Sequence, residues 1–252
     1  MIILSLPLII MFAAAIIPAI FLLRYIYKKD KLDKEPRGLI IKLVILGIIS
    51  TICAVFTETV GMGLLNTFFN ENSLAYEILL NFIVIAISEE GFKYLVLKRA
   101  TWKNPEFNCQ FDGVVYAVAV SLGFALWENV QYVFSYGLGT ALVRAVTAVP
   151  GHACFGVLMG AWYGLAKKYE NLGNLEKSRS LRNKAVIMPA IAHGAYDFIA
   201  GRASILGSFV FIALVLALFY LCFNLVKGLS DGDEYINNDP DFSYRDIDNF
   251  KE

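Results

Sequence analysis

The stretch that decides both the fold and the function is Ala86-Ile-Ser-Glu-Glu-Gly-Phe-Lys-Tyr-Leu95. Glu89, Glu90 and Lys93 interrupt an otherwise apolar run from Ile78 to Leu97. A run of about 20 residues is long enough to cross a bilayer as a helix. Adjacent carboxylates in hydrocarbon cost about 2.5–3.5 kcal/mol each on insertion scales. These groups are therefore expected to face a polar interior and to act there.

The composition indicates an all-α polytopic membrane protein. Of the 252 residues, 58% are hydrophobic, and the mean hydropathy is +0.59; soluble domains are about 45–50% apolar. Zero net charge gives no reason to expect a nucleic-acid partner. The four cysteines are widely spaced, which predicts neither a disulfide framework nor a cysteine-based metal site. About seven transmembrane helices are predicted, over residues 2–23, 39–65, 76–97, 112–134, 141–166, 185–200 and 205–226.

The basic residues predict the orientation of these spans. One set of loops is rich in Lys and Arg, as between Lys28 and Arg37, whereas the opposite set holds only Arg144 and Arg202. The positive-inside rule then places the N-terminus outside the cell and the C-terminus in the cytoplasm. Residues 1–226 are expected to form a single transmembrane domain, and residues 227–252 an acidic, disordered cytoplasmic tail.

Five polar residues are predicted to share one depth in the membrane. At ~1.5 Å per residue, Glu89 lies about 13 Å from the cytoplasmic end of its span, and the next residue is Glu90. His152 lies about 16 Å from the outer end of its span, and His193 and Asp197 lie about 12 and 18 Å from a cytoplasmic end. The chain has no other histidines. This coincidence of depth predicts a site near the bilayer centre.

Helical spacing adds detail to this layer. Lys93 follows Glu89 by four residues and Glu90 by three, so its ammonium can reach either carboxylate. His193 and Asp197 are also four residues apart and share a face. His152 is followed on its face by Gly156, Gly160 and Gly164, a ladder of small residues that lets another helix approach closely.

Other polar residues carry structural interpretations. Glu58 and Glu128 lie roughly 24–28 Å from their cytoplasmic ends, near the outer interface. We expect Glu58, Glu128 and Asn129 to act mainly in packing, with Glu128 and Asn129 supporting the site. Pro150-Gly151 and Pro189 are expected to loosen the helices that carry His152 and His193.

The cluster has the groups that amide hydrolysis needs. A glutamate can activate water, and a histidine held by a carboxylate can donate to the oxyanion. No serine or cysteine occurs in an evident nucleophile motif, which favours direct attack by water. Glu89, His152 and His193 could instead hold a divalent metal such as zinc, although the spacing is not HExxH. A proton-coupled transporter or channel could use the same carboxylates and histidines.

The motif set resembles one family. Its elements are Asp33-Lys-Glu-Pro36, Glu89-Glu90-x-x-Lys93, Asp112-Gly113-x-x-Tyr116, Gly123-Phe124-Ala125-x-x-Glu128-Asn129-x-x-Tyr132, His152 and His193-x-x-x-Asp197. Together they are similar to the PrsW family of intramembrane proteases, part of a wider group that includes the CAAX prenyl endopeptidases. The CAAX enzymes usually carry Arg one residue beyond Lys93, and many relatives carry Asn at the position of Asp197.

The resemblance implies an activity. Residues 1–226 would be a protease domain in the cell membrane, and the partner a single-pass membrane protein of the anti-sigma-factor type, cut first on the extracytoplasmic side. Glu89 would be the water-activating base with His152 assisting, and Glu90 a supporting or alternate acid. His193 and Asp197 would bind the oxyanion. The CAAX relatives imply that no cofactor is required, with zinc as the alternative.

Overall fold

The computed structural model describes residues 6–202 and 204–236, and these residues are almost wholly helical. The elements are α1 (Leu6–Lys29), α2 (Arg37–Phe68), α3 (Leu74–Ile78), a π-helical segment (Leu79–Ala86), α4 (Ile87–Thr101), α5 (Asp112–Tyr136), α6 (Leu138–Val146), α7 (Ala148–Asn171), α8 (Leu175–Ala200) and α9 (Ile205–Asp231).

Helix α5 lies at the centre of the bundle. Every residue from Phe111 to Ala125 is buried, although the helix is rich in small side chains and lacks one dominant apolar face. Helices α2 and α9 instead present large apolar side chains outward, such as Ile52 at 65% and Leu206 at 73% exposed. An apolar exterior around a buried helix is the arrangement expected for a bundle surrounded by lipid.

Glycines set how closely α5 meets its neighbours. A Cβ added to Gly160 of α7 would lie 2.4 Å from the Cα of Val114, and one added to Gly47 of α2 would lie 2.1 Å from the carbonyl oxygen of Val120. No real side chain tolerates such distances without backbone movement. The predicted ladder on α7 is thus the surface on which α5 packs, and it carries His152 at its far end.

The helix that carries the two glutamates is continuous but not uniform. Elements α3, the π-helical segment and α4 follow one another without a loop, from Leu74 to Thr101. Segments of π-helix are rare and often occur at functional sites, because they change which side chains face inward. Here the π-helical segment ends just before Ile87, directly ahead of Glu89 and Glu90.

The predicted fifth span is divided in two. Helix α6 ends at Val146, and Thr147 has non-helical dihedral angles (φ −121°, ψ −73°) before α7 begins at Ala148. The sequence places the loosening at Pro150-Gly151. In the structure Pro150 lies in the first turn of α7, where a backbone N–H has no acceptor within the helix, so the proline costs no helical hydrogen bond. The break therefore precedes the proline. Helix α8 continues through Pro189.

The structure confirms an all-helical, multi-pass architecture. By length and apolar composition, five stretches of the described residues could cross a membrane: Ile9–Lys29, Arg37–Phe68, Asp112–Tyr136, Leu138–Asn171 and Ile205–Asp231. The predicted spans 76–97 and 185–200 are not among these five. They carry the polar side chains of the predicted site: Glu89, Glu90 and Lys93 in the first, and His193 and Asp197 in the second. The count of seven spans and the orientation remain predictions.

Two elements of the motif set meet at the end predicted to be cytoplasmic. The hydroxyl of Tyr116 donates to Oε2 of Glu35 at 2.6 Å, and so joins the loop before α2 to α5. Burial raises the pKa of the Glu35 carboxyl to about 7, and the hydrogen bond from Tyr116 opposes this shift. Asp112 accepts from the backbone N–H of Cys109 at 2.6 Å. These contacts fix the start of α5.

The structure describes ten residues beyond residue 226, and these are held against the bundle. Helix α9 continues to Asp231, and Ile236 donates its N–H to the carbonyl of Asn108 at 2.7 Å. The side chain of Ile236 is 4% exposed. The segment is held because it covers the loop between α4 and α5. The remainder of the predicted tail, residues 237–252, lies outside the described residues, and the division into domain and tail remains a prediction.

The glycine contacts give a stability prediction. Substitution Gly160→Ala should lower the free energy of unfolding by about 1–3 kcal/mol, because the new methyl group meets backbone atoms of α5. The thermal midpoint in detergent should fall by about 2–4 °C for each kcal/mol. Gly63→Ala is the matched control, since nothing lies within 4 Å of its added Cβ. Equal midpoints for the two variants would contradict this packing.

Candidate active site

The ammonium of Lys93 lies where three polar groups converge. Its Nζ is 3.0 Å from Oε2 of Glu89, 2.7 Å from Oε1 of Glu90 and 3.2 Å from Nδ1 of His152. It also lies 4.0 Å from the centroid of the Phe124 ring. The side chain is fully buried. The predicted contact of Lys93 with both glutamates is therefore present, and the contact with His152 is an addition to it.

The two glutamates differ in what they face. Glu89 lines a cavity within the bundle, whereas Glu90 is not part of that wall. Oε1 of Glu90 meets both Lys93 and Nδ1 of His193, the latter at 3.0 Å, and Glu90 is completely buried. Oε1 of Glu89 makes no hydrogen bond with any described residue. Glu89 is thus the carboxylate with an oxygen available to the cavity.

The contacts of His152 define its tautomer. An ammonium has only donors, so Nδ1 of His152 accepts from Lys93. The proton of a neutral imidazole then lies on Nε2, which donates to Oε2 of Glu128 at 2.8 Å. Both ring nitrogens are therefore engaged. His152 is held between a cation on one side and a carboxylate on the other.

His193 lies between two carboxylates. Nδ1 is 3.0 Å from Oε1 of Glu90, and Nε2 is 3.2 Å from Oδ2 of Asp197. Two donations to carboxylates are satisfied by an imidazole that carries protons on both nitrogens. The ring stacks on Phe155, with centroids 4.6 Å apart and an interplanar angle of 20°. This stacking fixes the ring plane and directs Nε2 towards Asp197.

The π-helical segment brings α8 into position. A Cβ added to Gly194 would lie 2.6 Å from Cδ1 of Phe82 in that segment. The glycine next to His193 therefore allows α8 to touch the π-helical segment directly. This close approach places His193 beside Glu90, on the neighbouring element α4.

Glu128 has a larger role than the sequence indicates. Besides His152, its Oε2 lies 3.0 Å from a terminal nitrogen of Arg144. Nε of Arg144 donates to Oδ1 of Asn129 at 3.0 Å, and the guanidinium lies 3.9 Å from the centroid of Tyr132. From the sequence, Arg144 is identified only as a residue of the outer loops. In the structure it joins the chain of contacts from Glu128 to the site.

A cavity of about 290 Å³ connects these groups. At ~30 Å³ per water molecule it has room for roughly ten waters. Its polar wall comprises Glu58, Asn81, Glu89, Glu128, Tyr132, Arg144, His152, His193, Tyr196 and Asp197. From the sequence, Glu58 is assigned to packing, Tyr132 is named only within the motif set, and Asn81 and Tyr196 are not identified. The five residues predicted to share a depth are brought together, with Glu90 behind the wall.

Glu89, His152 and His193 also present a possible metal site. Each offers one ligand atom, and these atoms lie within 4.8 Å of one another. Two imidazoles and a carboxylate are a donor set that zinc takes in catalytic sites. The surrounding contacts oppose this use, however. The Lys93 ammonium lies 3.0 Å from Glu89 and 3.2 Å from His152, and His152 has no free nitrogen. The residue types fit zinc, but their arrangement around Lys93 does not.

A carboxylate and two imidazoles around a wet cavity within a bundle of apolar helices define a multi-pass membrane protein with the groups of a peptidase. The chain belongs to the PrsW family: the model described as "PrsW family intramembrane metalloprotease" matches residues 35–223. It is therefore an intramembrane protease.

Curated relatives agree with this assignment. The chain is 38% identical over 213 residues to Protease PrsW of Oceanobacillus iheyensis, covering 83% of this chain and 93% of that protein. It is 31% identical over 216 residues to Protease PrsW of Bacillus subtilis, covering 85% and 92%. For Protease PrsW of Clostridioides difficile the values are 35% over 193 residues, 75% and 78%. No solved structure matches the chain.

The contacts of Lys93 generate a stability prediction. Lys93→Met should lower the free energy of unfolding by about 3–5 kcal/mol, because it leaves buried carboxylates without a counterion. Adding Glu90→Gln should recover part of the loss, measured as the thermal midpoint in detergent.

Lys31→Met is the control for this prediction. Lys31 forms an ion pair with Asp231 at 2.6 Å, but both side chains are 53% exposed. Loss of such a surface pair should cost less than about 1 kcal/mol. If Lys93→Met and Lys31→Met unfold at the same temperature, the buried ammonium does not organise the site.

Proposed function

We propose that this chain hydrolyses a peptide bond in a single-pass membrane protein, using water activated by Glu89. The observation that carries the proposal is that the two adjacent glutamates have different surroundings. Glu89 faces the cavity with one oxygen free of hydrogen bonds to the described residues, whereas Glu90 is buried behind it with Lys93 and His193. A general base must reach both water and substrate, and of the two glutamates Glu89 meets that condition.

The oxyanion-binding role falls to His193. Its Nε2 points to the cavity, where Asp197 now accepts from it at 3.2 Å. The Asp197 side chain is 27% exposed, so a substrate carbonyl can approach the same N–H. A preorganised donor of this kind stabilises charge as it develops on the carbonyl oxygen. Asp197 and Glu90 orient the ring from either side.

The proton balance needs no further group. Glu89 takes a proton from water as the hydroxide oxygen bonds to the carbonyl carbon. The resulting oxyanion is stabilised by the N–H of His193. Glu89 then returns the proton to the amide nitrogen as the carbon–nitrogen bond breaks, which yields a carboxyl and an amine. Glu90 keeps a supporting role because it lies outside the cavity wall.

Lys93, His152 and Glu128 act by positioning. Lys93 holds Oε2 of Glu89 at 3.0 Å and so leaves the other oxygen for water. His152 fixes Lys93 from the far side, and Glu128 fixes His152 at 2.8 Å. Asn129 supports this chain through Arg144 and through its donation to the carbonyl of Ala15 at 3.0 Å. Each group is thus oriented by the next.

We propose that no metal is required. An ammonium within 3.2 Å of two of the three possible ligands would repel a divalent cation. Zinc is the alternative cofactor, since the family is described as metalloproteases and the donor types suit it.

The proposed substrate is a membrane-anchored anti-sigma factor, cut on the extracytoplasmic side. Support comes from the motif resemblance and from the predicted topology, in which Glu58, Glu128 and Arg144 lie on the outer side of Glu89. The cavity runs from Glu89 past these residues. A substrate helix could therefore present its outer juxtamembrane segment to the site.

Glu89→Gln should abolish most of the cleavage while leaving the fold intact. General-base catalysis contributes about 10²–10⁴-fold, and kcat/KM should fall by that factor. The measurement is cleavage of a tagged anti-sigma-type protein after reconstitution of both proteins in liposomes. Glu77→Gln is the control, because Glu77 pairs with Arg202 at the surface of the bundle. Undiminished cleavage by Glu89→Gln would refute the proposed base.

Metal removal should not affect the reaction. Cleavage in the liposome assay should persist after treatment with a zinc chelator, and elemental analysis of the purified protein should show zinc well below one ion per chain. Two results together would contradict the metal-free proposal. The purified protein would contain stoichiometric zinc that is lost in His152→Ala, and the chelator would stop cleavage until zinc is added back.

A further inference from the structure

Glu58 is a charged residue that neither the packing nor the proposed chemistry explains. It is the only charged residue of α2 after Lys42, and it contributes to the wall of the same cavity as Glu89. A carboxylate in such a segment is costly unless it faces a polar interior and has a task there.

The packing of α2 directs Glu58 inward. Ala54, one turn before it, is completely buried. Gly61, one turn after it, contacts the π-helical segment, since an added Cβ would lie 2.7 Å from Cγ1 of Val84. Residues three and four apart share a helix face. Glu58 is therefore on the side of α2 that meets the site, while Val60 is 49% exposed on the other side.

The other ionisable groups of the cavity wall have partners. Glu89 has Lys93, Glu128 has Arg144 and His152, and Asp197 has His193. Within residues 6–202 and 204–236, Glu58 has no ion pair. Its Oε1 is buried without a hydrogen-bond partner among those residues. The wall of the cavity thus carries one carboxylate, that of Glu58, that lacks a partner among the described residues.

We propose that Glu58 forms a substrate subsite that binds a Lys or Arg side chain of the protein being cut. The cation would supply the counterion that Glu58 lacks, in a cavity where such pairs are less screened than in water. This inference rests on the proposed function and adds the class of residue that the substrate carries beside the cleaved bond.

The size of the cavity limits where that cation can lie. A sphere of 290 Å³ is about 8 Å across, and an extended chain advances ~3.3–3.6 Å per residue. A cavity of this size therefore accommodates about two residues of an extended chain. The cation belongs within about two residues of the cleaved bond.

A Lys or Arg residue just outside the outer end of a span distinguishes one membrane protein from most others. Lys and Arg are depleted from the short segments that follow a span on the outer side. A protease that requires one positive charge in the outer juxtamembrane segment of its substrate would therefore not cleave most other membrane proteins. Glu58 supplies this selection without a separate recognition domain.

The test uses a library of single-pass reporter proteins with randomised outer juxtamembrane segments. Each is co-expressed with the full-length protein, and cleaved products are sequenced to give the residue preference beside the cut. Wild type, Glu58→Gln, Glu58→Lys and the surface control Glu77→Gln are compared. Glu58→Gln keeps the size of the side chain and removes only its charge, so its fold is the least at risk, and the thermal midpoint of each variant is measured.

We expect wild type and Glu77→Gln to favour Lys or Arg at one position within two residues of the cut. Glu58→Gln should lose this preference, with kcat/KM for a Lys-containing reporter lowered by about 10- to 100-fold, the contribution of a charged hydrogen bond. Glu58→Lys should favour Asp or Glu at the same position.

Two results overturn the proposal and are distinguishable. If wild type cleaves reporters but Glu58→Gln keeps the same preference, the carboxylate acts as a neutral group or only in packing, and the subsite is wrong while the protease assignment stands. If wild type cleaves no reporter and behaves like Glu89→Gln, the proposed function itself fails, and the subsite fails with it.

Discussion

A single ammonium group, that of Lys93, is the constraint on which the site depends. In a low-dielectric interior a charge persists only with partners close by, and Lys93 meets two carboxylates and an imidazole within 3.2 Å. Those partners come from α4 and α7, and Glu90 extends the contact to His193 on α8. One positive charge therefore fixes the relative positions of three helices, and any displacement of one of them separates buried charged groups.

Much of this cluster could be predicted from the sequence, because a membrane supplies a common scale of depth. The rise per residue placed Glu89, His152, His193 and Asp197 in one layer, and spacings of three and four residues paired Lys93 with its glutamates. The glycine ladder of α7 was predicted in the same way. What the sequence could not supply was the tilt and rotation of each helix. For that reason Glu128 was placed near the outer interface, although its carboxylate bonds His152.

The features that sequence reasoning missed share a physical cause. The π-helical segment Leu79–Ala86 is apolar apart from Asn81, and its composition does not distinguish it from an ordinary α-helical turn. The break at Thr147 likewise lies ahead of the Pro-Gly pair that indicated it. Glu58 seemed structural because the sequence shows its depth but not whether it faces lipid or cavity.

The π-helical segment has a consequence for the paired glutamates that follow it. A shift of one residue in helical register turns a side chain by ~100° about the axis. Two adjacent glutamates therefore have the same chemistry and differ only in the direction in which their side chains point around the helix axis. The wide turns of the π-helical segment end at Ala86, and in the helix that follows Glu89 faces the cavity while Glu90 points to His193. Which of the two glutamates faces the cavity thus depends on the winding of the backbone ahead of them, and the sequence alone does not distinguish them.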